Sequence, residues 1–571
     1  MSKNREIAEM FFEMADVLEM QGVDWKPSAY RKAARALETL SEPVEEIFAV
    51  GGVKALMDIP GVGQGLAGKI EEFLKTGRMK EFLQVVRKIP AGVEEMMRVP
   101  GLGPKKVMRL YKNLKIKSVE QLERAAKAGE LRRLAGFGIK SEEDILRGLD
   151  IVKKGAGRVL LGVALPVARE IAGRLSGVDG VKVAEPAGSL RRMSETVGDI
   201  DILVISNKPA KVMDLFTKMP EVQSVIAKGS TKSTVILSEG VQSDVRVLDE
   251  MSFGSALQYF TGSKDHNIAL RQIAIKKGFK LSEYGLFKKD RYVCGRSEKE
   301  IYAKLGLPFI PPELRENHGE IEAAQKNKLP DLIPYDAIKG DLHMHTRWSD
   351  GNNSVEQMAG AAEKMGYEYV AFADHSKSEH IANGMDEKRL LQYLKELDVV
   401  QKKVGIRVLK GSEVDILADG SLDYSNKYLK ELDLVVGSVH SRFKSSRQDM
   451  TERILKAFEN PYLNIFAHPS GRLIGRREPY DFDFEKVALA AKERGIALEC
   501  NSYPDRLDLK DVHVRKTVEL GCKISIDTDS HSVEHLRFIE FGVAQARRGW
   551  AEVKDVINAW PLKKLEKFLR R

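Results

Sequence analysis

The amino-acid sequence predicts a multidomain protein with an all-α front region, an α/β middle region and a C-terminal barrel-like α/β domain. Apolar residues recur at three- and four-residue steps through residues 4–150. Strand-like segments begin to alternate with helices near residue 158, and after residue 340 short apolar strands are followed by His, Asp or Glu. The length of 571 residues corresponds to about four domains.

Composition and charge limit the class of protein. No apolar run approaches the ~20 residues of a membrane span, and the opening Met-Ser-Lys-Asn-Arg-Glu is not a leader, so we expect a cytoplasmic protein with no membrane partner. Three widely spaced cysteines argue against a disulfide framework or a thiolate zinc site. The net charge of +9 lies entirely in residues 1–340. That excess fits a polyanion partner, although a solubilising surface explains it as well.

The helical front region contains two copies of a hydrophobic-Pro-Gly-x-Gly pattern, at residues 59–63 and 99–103. Paired glycines permit a tight turn with exposed amides at the start of a helix, which can bind phosphate oxygens without reading sequence. One copy could be an ordinary helical hairpin, but two copies favour contacts with the DNA backbone, and residues 134–138 resemble a degenerate third copy. The DNA-contact candidates are Gly61, Gly63, Gly101, Gly103, Lys105 and Lys106.

The middle region carries three aspartates in a strand pattern. Asp199 and Asp201 lie two apart on a predicted strand, so both side chains point to one face, and Asp244 lies on a later strand. Adjacent carboxylates repel unless cations lie between them, so the set predicts a two-metal Mg²⁺ site. Gly188 and Ser189, eleven residues earlier, could bind a phosphate. For the Asp-x-Asp pair alone, a solvated acidic strand end is the alternative.

The C-terminal region is predicted to place its polar side chains at the C-terminal ends of barrel strands. Imidazoles and carboxylates gathered in this way are ligands for Zn²⁺, Mn²⁺ or Fe²⁺ and indicate metal-assisted hydrolysis. One such histidine would more often be structural, but nine candidates at successive strand ends favour a metal site. The candidates are His343, His345, Asp350, His375, Glu413, His440, His468, Asp529 and His531.

A basic loop follows one of these histidines. Arg472, Arg476 and Arg477 come shortly after His468 and offer guanidiniums for a substrate phosphate. The alternative is a solvated basic loop. The spacing alone does not decide between them.

Several of these motifs together resemble the family X DNA polymerases. They are Gly188-Ser189-x-x-Arg192, Gly198-Asp199-Ile200-Asp201, Asp244-x-Arg246 and Tyr259-Phe260-Thr261-Gly262-Ser263. With the C-terminal clusters, the chain resembles the bacterial and archaeal form that carries a PHP (polymerase and histidinol phosphatase) domain. The likeness runs nearly end to end.

The resemblance implies six segments along the chain. They are a helix-hairpin-helix lyase-like domain over 1–80, helical fingers with the second hairpin over 81–150, a nucleotidyltransferase palm over 151–250, a thumb over 251–315, a linker over 316–338 and a distorted (β/α)7 PHP barrel over 339–571. The proline-rich composition of residues 306–338 independently favours a linker.

The resemblance also implies roles for residues around the aspartates, which would bind two Mg²⁺. Arg158, Gly188, Ser189 and Arg192 match triphosphate contacts. Tyr259, Phe260 and Gly262 match the segment that contacts the sugar, and Arg246 and Arg271 match DNA contacts. Asp265 and Asn267 match positions beside the incoming base. For the Tyr-Phe-Thr-Gly-Ser segment, a buried aromatic pair before a turn is the alternative.

The resemblance also implies a third activity, a lyase reaction, for which the residues give less support. Lys69 matches the Schiff-base lysine of the family's lyase domain, and Lys26 matches a lysine that binds a 5′-phosphate. Gly65, however, replaces a second phosphate-binding lysine. Lys69 could instead be a plain contact with the DNA backbone.

For the PHP domain the resemblance implies a site of up to three Zn²⁺ or Mn²⁺ ions. One ion would take His343, His345, Glu413 and Asp529, a second Glu413, His440 and His468, and a third Asp350, His375 and His531. We therefore expect a monomeric DNA repair polymerase that uses gapped or primed DNA and dNTPs, fills short gaps and hydrolyses 3′ ends. The alternatives are a DNA-end-binding PHP hydrolase with weak polymerisation, a non-catalytic DNA-end scaffold, and a small-molecule phosphatase.

Overall fold

The computed structural model of this chain describes residues 3–20, 23, 25–38, 40, 43–85, 96, 102, 104–134, 137–138, 142, 145–146, 149 and 158–570. It divides into two compact units, Met1–Lys328 and Leu329–Arg571. Each unit buries hydrophobic cores of its own. Among the described helices, none is both long enough and apolar enough to cross a bilayer.

The front of the first unit is helical over its described residues, as the apolar spacing predicts. Ile7, Phe11, Met14 and Leu18 form a buried stripe on the first helix. Gly52, with a φ of 60°, interrupts the third helix. The helices are α1 (Lys3–Met20), α2 (Lys26–Glu38), α3 (Val44–Met57), α4 (Gln64–Thr76), α5 (Lys80–Val85), α6 (Pro104–Leu114) and α7 (Val119–Lys127).

A mixed five-stranded sheet follows, in the order β2-β4-β7-β6-β5. The two central strands, β4 and β7, run parallel, and the other neighbours are antiparallel. The elements are β1 (Val159–Leu160), α8 (Leu161–Ser176), β2 (Val181–Pro186), α9 (Gly188–Arg191), β3 (Thr196–Val197), β4 (Asp199–Ser206), α10 (Pro209–Phe216), β5 (Val222–Lys228), β6 (Lys232–Leu237) and β7 (Gln242–Leu248).

The rest of the first unit is a helical layer with a small antiparallel sheet in the order β10-β9-β8. Its elements are α11 (Phe253–Thr261), α12 (Lys264–Lys276), β8 (Lys280–Ser282), β9 (Gly285–Lys288), β10 (Arg291–Cys294), α13 (Glu298–Lys304) and α14 (Glu320–Gln325). Glu298 joins this layer to the sheet, because its carboxylate pairs with Arg191 at 2.7 Å and with the fully buried Arg315 at 2.5 Å. The low exposure of these groups strengthens the ion pairs.

Residues 316–338, expected to form a linker, are ordered and shared between the two units. In the first unit the buried Glu320 carboxylate accepts from the backbone N of Asn317 at 2.9 Å and lies 2.7 Å from His266 Nδ1. In the second unit the Ile333 side chain is buried, and its backbone N donates to the Ala551 carbonyl at 3.0 Å. The local composition does not reveal these distant partners. The predicted domain boundaries remain predictions.

The second unit is a nearly closed barrel of seven parallel strands in sequence order, β11 to β17. The two ends of the sheet meet where the Leu342 N donates to Asp527 Oδ1 and the His345 N donates to the Ser530 carbonyl, both at 2.8 Å. The strands are β11 (Gly340–Met344), β12 (Tyr369–Phe372), β13 (Arg407–Asp415), β14 (Leu434–Ser438), β15 (Leu463–Phe466), β16 (Ala497–Asn501) and β17 (Ile524–Asp527).

Helices connect the strands and cover the outside of the barrel. They are α15 (Val355–Lys364), α16 (Glu387–Gln401), α17 (Asn426–Leu429), α18 (Arg447–Ala457), α19 (Phe484–Glu493), α20 (Asp511–Leu520), α21 (Ile539–Arg548) and α22 (Leu562–Leu569). Trp560 and Leu565 pack with the strand side chains Tyr369 and Leu409 in one hydrophobic core. A second, larger core lies between the strands and the surrounding helices. Parallel strands direct all their C-terminal ends to one rim, where a site can form. The predicted fold class is confirmed.

Candidate metal centres

The three aspartates of the middle region meet at the start of two neighbouring strands. Asp199 and Asp201 are on β4 and Asp244 is on β7, and the parallel register pairs Asp201 directly with Asp244. This arrangement gathers three carboxylates on adjacent strands, as the sequence predicts.

The electrostatics of this cluster require positive charge. Burial, together with the charges of Asp199 and Asp244, raises the pKa of Asp201 to about 7. Burial and Asp244 also raise the pKa of Asp199. Lys232 is one resident counter-charge, because its Nζ lies 2.7 Å from Asp244 Oδ2. A group of oxygen donors with pKa values raised in this way fits hard divalent cations.

The turn before the cluster is shaped by glycine. Gly188 begins α9 with a φ of 65°, and a Cβ there would lie 3.1 Å from Asp201 Oδ2. The Ala187 N donates to the Asp201 carbonyl at 2.8 Å, which fixes the turn against β4. The turn thus places Gly188 against Asp201, and Arg192 is close enough to Asp199 to lower its pKa.

Two arginines predicted to contact a triphosphate are held by protein groups. Arg158 donates from Nε to Thr196 Oγ1 at 2.8 Å. Arg192 donates from Nη1 to the Thr261 carbonyl at 2.6 Å, and its Nε lies 3.0 Å from Glu316 Oε1. A phosphate would compete with Glu316 for Arg192.

The aromatic segment lies next to these groups. The Arg246 guanidinium is 4.6 Å from the Phe260 ring centroid, and Tyr259 meets Phe260 edge-on at 5.2 Å. The Asn267 side chain donates to the Tyr259 carbonyl at 2.7 Å, so it ties α12 to the end of α11. Arg271 donates to the Asn267 carbonyl at 3.2 Å.

Two further predicted positions lie near this segment. Gly262 has a φ of 70°, and a Cβ there would come within 3.2 Å of Arg192 Nη1. Burial raises the pKa of Asp265, while the nearby Arg31 and Arg35 lower it.

The first hairpin has the geometry that the glycines predict. Gly61 adopts a φ of 84°, where a side chain would collide with Lys32, and Gly63 caps α4. Of the second hairpin, Gly101, Gly103 and the side chain of Lys105 lie outside the described residues. Lys106, on α6, stacks over Phe137 at 5.9 Å.

The candidate lyase lysine is engaged by a carboxylate that the sequence did not suggest. Lys69 Nζ lies 2.9 Å from Glu81 Oε2, and Tyr30 donates to the same oxygen at 3.3 Å. Lys26 Nζ is 3.9 Å from the other oxygen of Glu81. The ion pair with Lys69 must break before the amine can attack an aldehyde.

The nine candidates of the C-terminal region converge at the rim of the barrel. Among the described residues, four groups have potential ligand atoms within 4.8 Å of one another. Three consist of candidates: His343 with His345 and Asp529; His375 with Glu413 and His440; and His345 with Asp350, His375 and His531. The other adds Glu379 and Asp415 to His440. His468 joins the second cluster, because its Nε2 lies 2.9 Å from Glu413 Oε1.

Glu413 lies at the centre of this arrangement. Its Oε1 is 3.3 Å from His440 Nε2, and its Oε2 is 3.0 Å from His375 Nδ1 and 3.3 Å from His343 Nε2. The side chain is buried. The electrostatic effect of His375, His343 and His440 outweighs burial and holds the pKa of Glu413 well below its usual range.

The donor set fits transition-metal ions. Burial, together with the charges of His531 and His375, lowers the pKa of His345 to about 3, so His345 is neutral and can donate a lone pair. Among the described residues, the buried Nδ1 of His345 makes no hydrogen bond, and His375 Nδ1 makes none either, since its 3.0 Å contact with Glu413 lacks hydrogen-bond geometry. Buried polar atoms are normally satisfied, and coordination would satisfy these two.

Two carboxylates that sequence reasoning missed orient the imidazoles. Glu499 Oε1 is 2.7 Å from His343 Nδ1, and its other oxygen accepts from the His468 N at 2.6 Å. Asp415 Oδ1 is 2.6 Å from His440 Nδ1. In metal sites a carboxylate on the far ring nitrogen fixes the tautomer and orientation of the ligand. Glu499 is two residues before Asn501 at the end of β16, and this strand-end position was the only available signal.

The basic loop after His468 does not supply a free guanidinium at Arg472. Arg472 Nε donates to the Arg506 carbonyl at 2.9 Å and Nη2 to the Leu507 carbonyl at 2.5 Å. Arg476 is 72% exposed. Arg477 donates to the Gly471 carbonyl and stacks on Phe443. Arg472 therefore holds the neighbouring loop, contrary to the phosphate-binding hypothesis for this residue.

Family models match four segments of the chain. They are a helix-hairpin-helix domain over residues 2–79, a SAM-like helix-hairpin-helix tandem over 93–150, the DNA polymerase beta thumb over 256–316 and the PHP domain over 341–502. Fold and models together define a nucleotidyltransferase joined to a metal-dependent phosphoesterase barrel.

Similar proteins extend the match to the whole chain. The DNA polymerase/3′-5′ exonuclease PolX of Bacillus subtilis (strain 168) is 41% identical over 99% of both chains. A probable phosphatase of Thermoanaerobacter sp. (strain X514) is 32% identical over 34% of this chain and 78% of its own length. DNA polymerase lambda of Rattus norvegicus is 24% identical over 55% of this chain and 56% of its own. The chain belongs to the family X DNA polymerases that carry a C-terminal PHP domain.

Replacing Glu499 with Gln should weaken metal binding at the barrel rim. The change keeps the side-chain volume but removes the charge that orients His343, so we expect Mn²⁺ affinity to fall by about 10-fold. Competition with a chromogenic chelator measures the affinity. Glu368→Gln, at a half-exposed ion pair with Lys339, is the control. Equal affinity in Glu499→Gln and the control would contradict the orienting role.

Proposed function

We propose that this chain is a DNA repair polymerase that fills short gaps with its first unit and hydrolyses 3′ ends with its barrel. The observation that carries the proposal is the presence of two ligand clusters in separate compact units. One is the paired aspartates of β4 and β7, and the other is the nine-residue rim of the barrel. The full-length match with PolX of Bacillus subtilis supports both activities.

In the polymerase site Asp199, Asp201 and Asp244 hold two Mg²⁺ ions. Mg²⁺ at such a site lowers the pKa of a primer 3′-hydroxyl and neutralises charge on the triphosphate. Ser189 and the amide of Gly188 bind phosphate oxygens at the turn, and Arg158 adds positive charge. Arg192, Tyr259, Phe260, Gly262, Asp265 and Asn267 contact the dNTP, and Arg246 and Arg271 contact DNA.

Binding of a dNTP requires Arg192 to change partners. Its Nε now lies 3.0 Å from Glu316, while its Nη1 is held by the Thr261 carbonyl. A triphosphate offers oxygens of higher charge than one carboxylate, so the guanidinium can exchange Glu316 for phosphate. Thr261 keeps the side chain directed toward the turn during the exchange.

In the barrel the nine residues hold up to three ions, for which we propose Mn²⁺ or Zn²⁺. Such ions polarise a phosphoryl group and activate water. His343, His345 and Asp529 form one side of the site, His440 and His468 a second, and Asp350, His375 and His531 a third, with Glu413 between them. Glu499 and Asp415 keep His343 and His440 oriented.

DNA reaches the first unit through backbone contacts. We propose that Gly61 and Gly63 of the first hairpin, and Gly101, Gly103, Lys105 and Lys106 of the second, bind phosphates on either side of a gap. Such contacts hold DNA of any sequence, as a repair polymerase requires. The protein acts as a monomer.

Changing Asp201 to Asn should abolish gap filling and spare hydrolysis. Asn cannot supply the charge that binds Mg²⁺, so we expect extension on a one-nucleotide gap to fall on the order of 10³-fold. Extension with Mg²⁺ and 3′ hydrolysis with Mn²⁺ are measured on the same preparation. Asp179→Asn, at an exposed ion pair with Lys208, is the control. Normal extension by Asp201→Asn would refute the metal site.

Changing Glu413 to Gln should abolish metal binding and hydrolysis and should lower the melting temperature. A metal bound only by the folded barrel stabilises it by about 2.7 kcal/mol when present at 100 times its Kd. Elemental analysis, release of 3′ nucleotides in Mn²⁺ and the melting temperature of the barrel check the three effects. Gap filling should persist. Retention of the metal and of hydrolysis in Glu413→Gln would rule out its central role.

Lyase activity through Lys69 should be weak unless Glu81 is neutralised. The ion pair at 2.9 Å keeps the amine from an abasic aldehyde. We expect Glu81→Gln to raise the yield of borohydride-trapped adduct several-fold on incised abasic DNA, and Lys69→Ala to remove it. Glu71→Gln is the control, because Glu71 lies on α4 with Lys69 but pairs with Lys75. A yield of trapped adduct in Lys69→Ala equal to that of the unmodified chain would exclude Lys69 as the nucleophile.

A further inference from the structure

Arg506 is a charged residue at the rim of the barrel that the motif analysis did not single out. It follows the end of β16 in the loop that leads to α20, and its backbone N donates to the Tyr503 carbonyl at 2.9 Å. Its side chain is only 20% exposed. A buried arginine is normally paired with a carboxylate or hydrogen-bonded to a ligand, because burying an unpaired charge costs free energy.

One edge of the guanidinium faces a candidate ligand. Arg506 Nε lies 3.3 Å from Asp529 Oδ2, while the other oxygen of Asp529 lies 3.2 Å from His345 Nε2. A single carboxylate thus separates Arg506 from the ligand imidazoles. Burial lowers the pKa of Arg506, but the charges of Asp529 and Glu413 outweigh it, so the pKa is raised overall. The guanidinium stays charged beside the site.

One donor of the guanidinium away from Asp529 has no partner. Among the described residues, the buried Nη1 of Arg506 makes no hydrogen bond. An unsatisfied charged donor costs free energy, so buried guanidinium groups are normally saturated. Arginine offers its donors as a rigid fork that matches the oxygens of a phosphate. An Arg506 that kept Nε on Asp529 could present Nη1 to such an anion.

The loop that carries Arg506 is held by side-chain and backbone contacts. Arg472 donates to the carbonyls of Arg506 and Leu507, and the Ile474 N donates to the Asp505 carbonyl at 2.7 Å. Asp508 accepts from the Ser470 N. The guanidinium is therefore positioned before any ligand arrives, which reduces the entropy cost of binding.

We propose that Arg506 binds a non-bridging oxygen of the scissile phosphate at the barrel site, through Nη1, while Nε remains paired with Asp529. This inference rests on the proposed hydrolytic function. The phosphate contact is then made by a residue 34 positions after Arg472, the first arginine of the basic loop. Arg472 then acts as a positioning residue for Arg506 rather than as the contact itself.

Two variants separate phosphate binding from support of Asp529. Arg506→Lys keeps a positive charge for Asp529 but lacks the second arm of the fork, whereas Arg506→Met removes both. Arg494→Met is the control, because Arg494 is exposed at the end of α19 and belongs to neither the basic loop nor the ligand clusters. Each full-length protein is loaded with Mn²⁺. We measure bound manganese, kcat and KM for release of the 3′ nucleotide from a single-stranded oligonucleotide, and the inhibition constant of inorganic phosphate.

We expect Arg506→Lys to retain its manganese while the inhibition constant of phosphate rises about 10-fold and kcat/KM falls about 100-fold. Arg506→Met should show larger losses, and Arg494→Met should resemble the unmodified chain. An unchanged phosphate inhibition constant in both Arg506 variants, with or without loss of manganese, would overturn the proposal. Arg506 would then only support Asp529.

Failure of the proposed hydrolysis is distinguishable from failure of this inference. If the unmodified chain releases no nucleotide in Mn²⁺, calorimetric titration of the manganese-loaded protein with inorganic phosphate still tests Arg506. Weaker phosphate binding by Arg506→Lys and Arg506→Met would support the contact even though the hydrolase proposal had failed. Equal binding by all proteins would overturn it.

Discussion

The buried carboxylate of Glu413 is the interaction on which the rim of the barrel depends. It brings three imidazoles within 3.3 Å of its two oxygens, and His468 lies 2.9 Å from one of them. Without this charge, the four imidazoles would lose the carboxylate that they share. The strands that end around it therefore need one central anion, and the surrounding groups are arranged to satisfy it.

A layer of carboxylates outside the ligands completes this arrangement. Glu499 and Asp415 contact the far nitrogens of His343 and His440, so these rings direct their Nε2 atoms inward. Orientation by an outer hydrogen bond is typical of metal sites, where it sets both tautomer and affinity. The strand ends thus position the ligand side chains, and Glu499 and Asp415 orient the imidazole rings of His343 and His440.

The polymerase site depends on a different constraint, which is strand register. Because β4 and β7 are parallel and Asp201 faces Asp244, their carboxylates share one edge of the sheet. The buried Glu298 joins α9 and α13 through Arg191 and thereby fixes the turn beside the aspartates. A shift of one residue in either strand would send its side chains to the opposite face of the sheet.

Sequence spacing predicted the fold class and the set of candidate ligands, and the resemblance of several motifs indicated the family. Residue type and local period carry this information, because strand alternation and glycine turns are set within a few residues. The tertiary structure decided which groups meet. The pairing of Glu81 with Lys69, of Glu499 with His343 and of Arg506 with Asp529 joins residues 12, 156 and 23 positions apart. Such pairings depend on how whole elements pack, which no local pattern encodes.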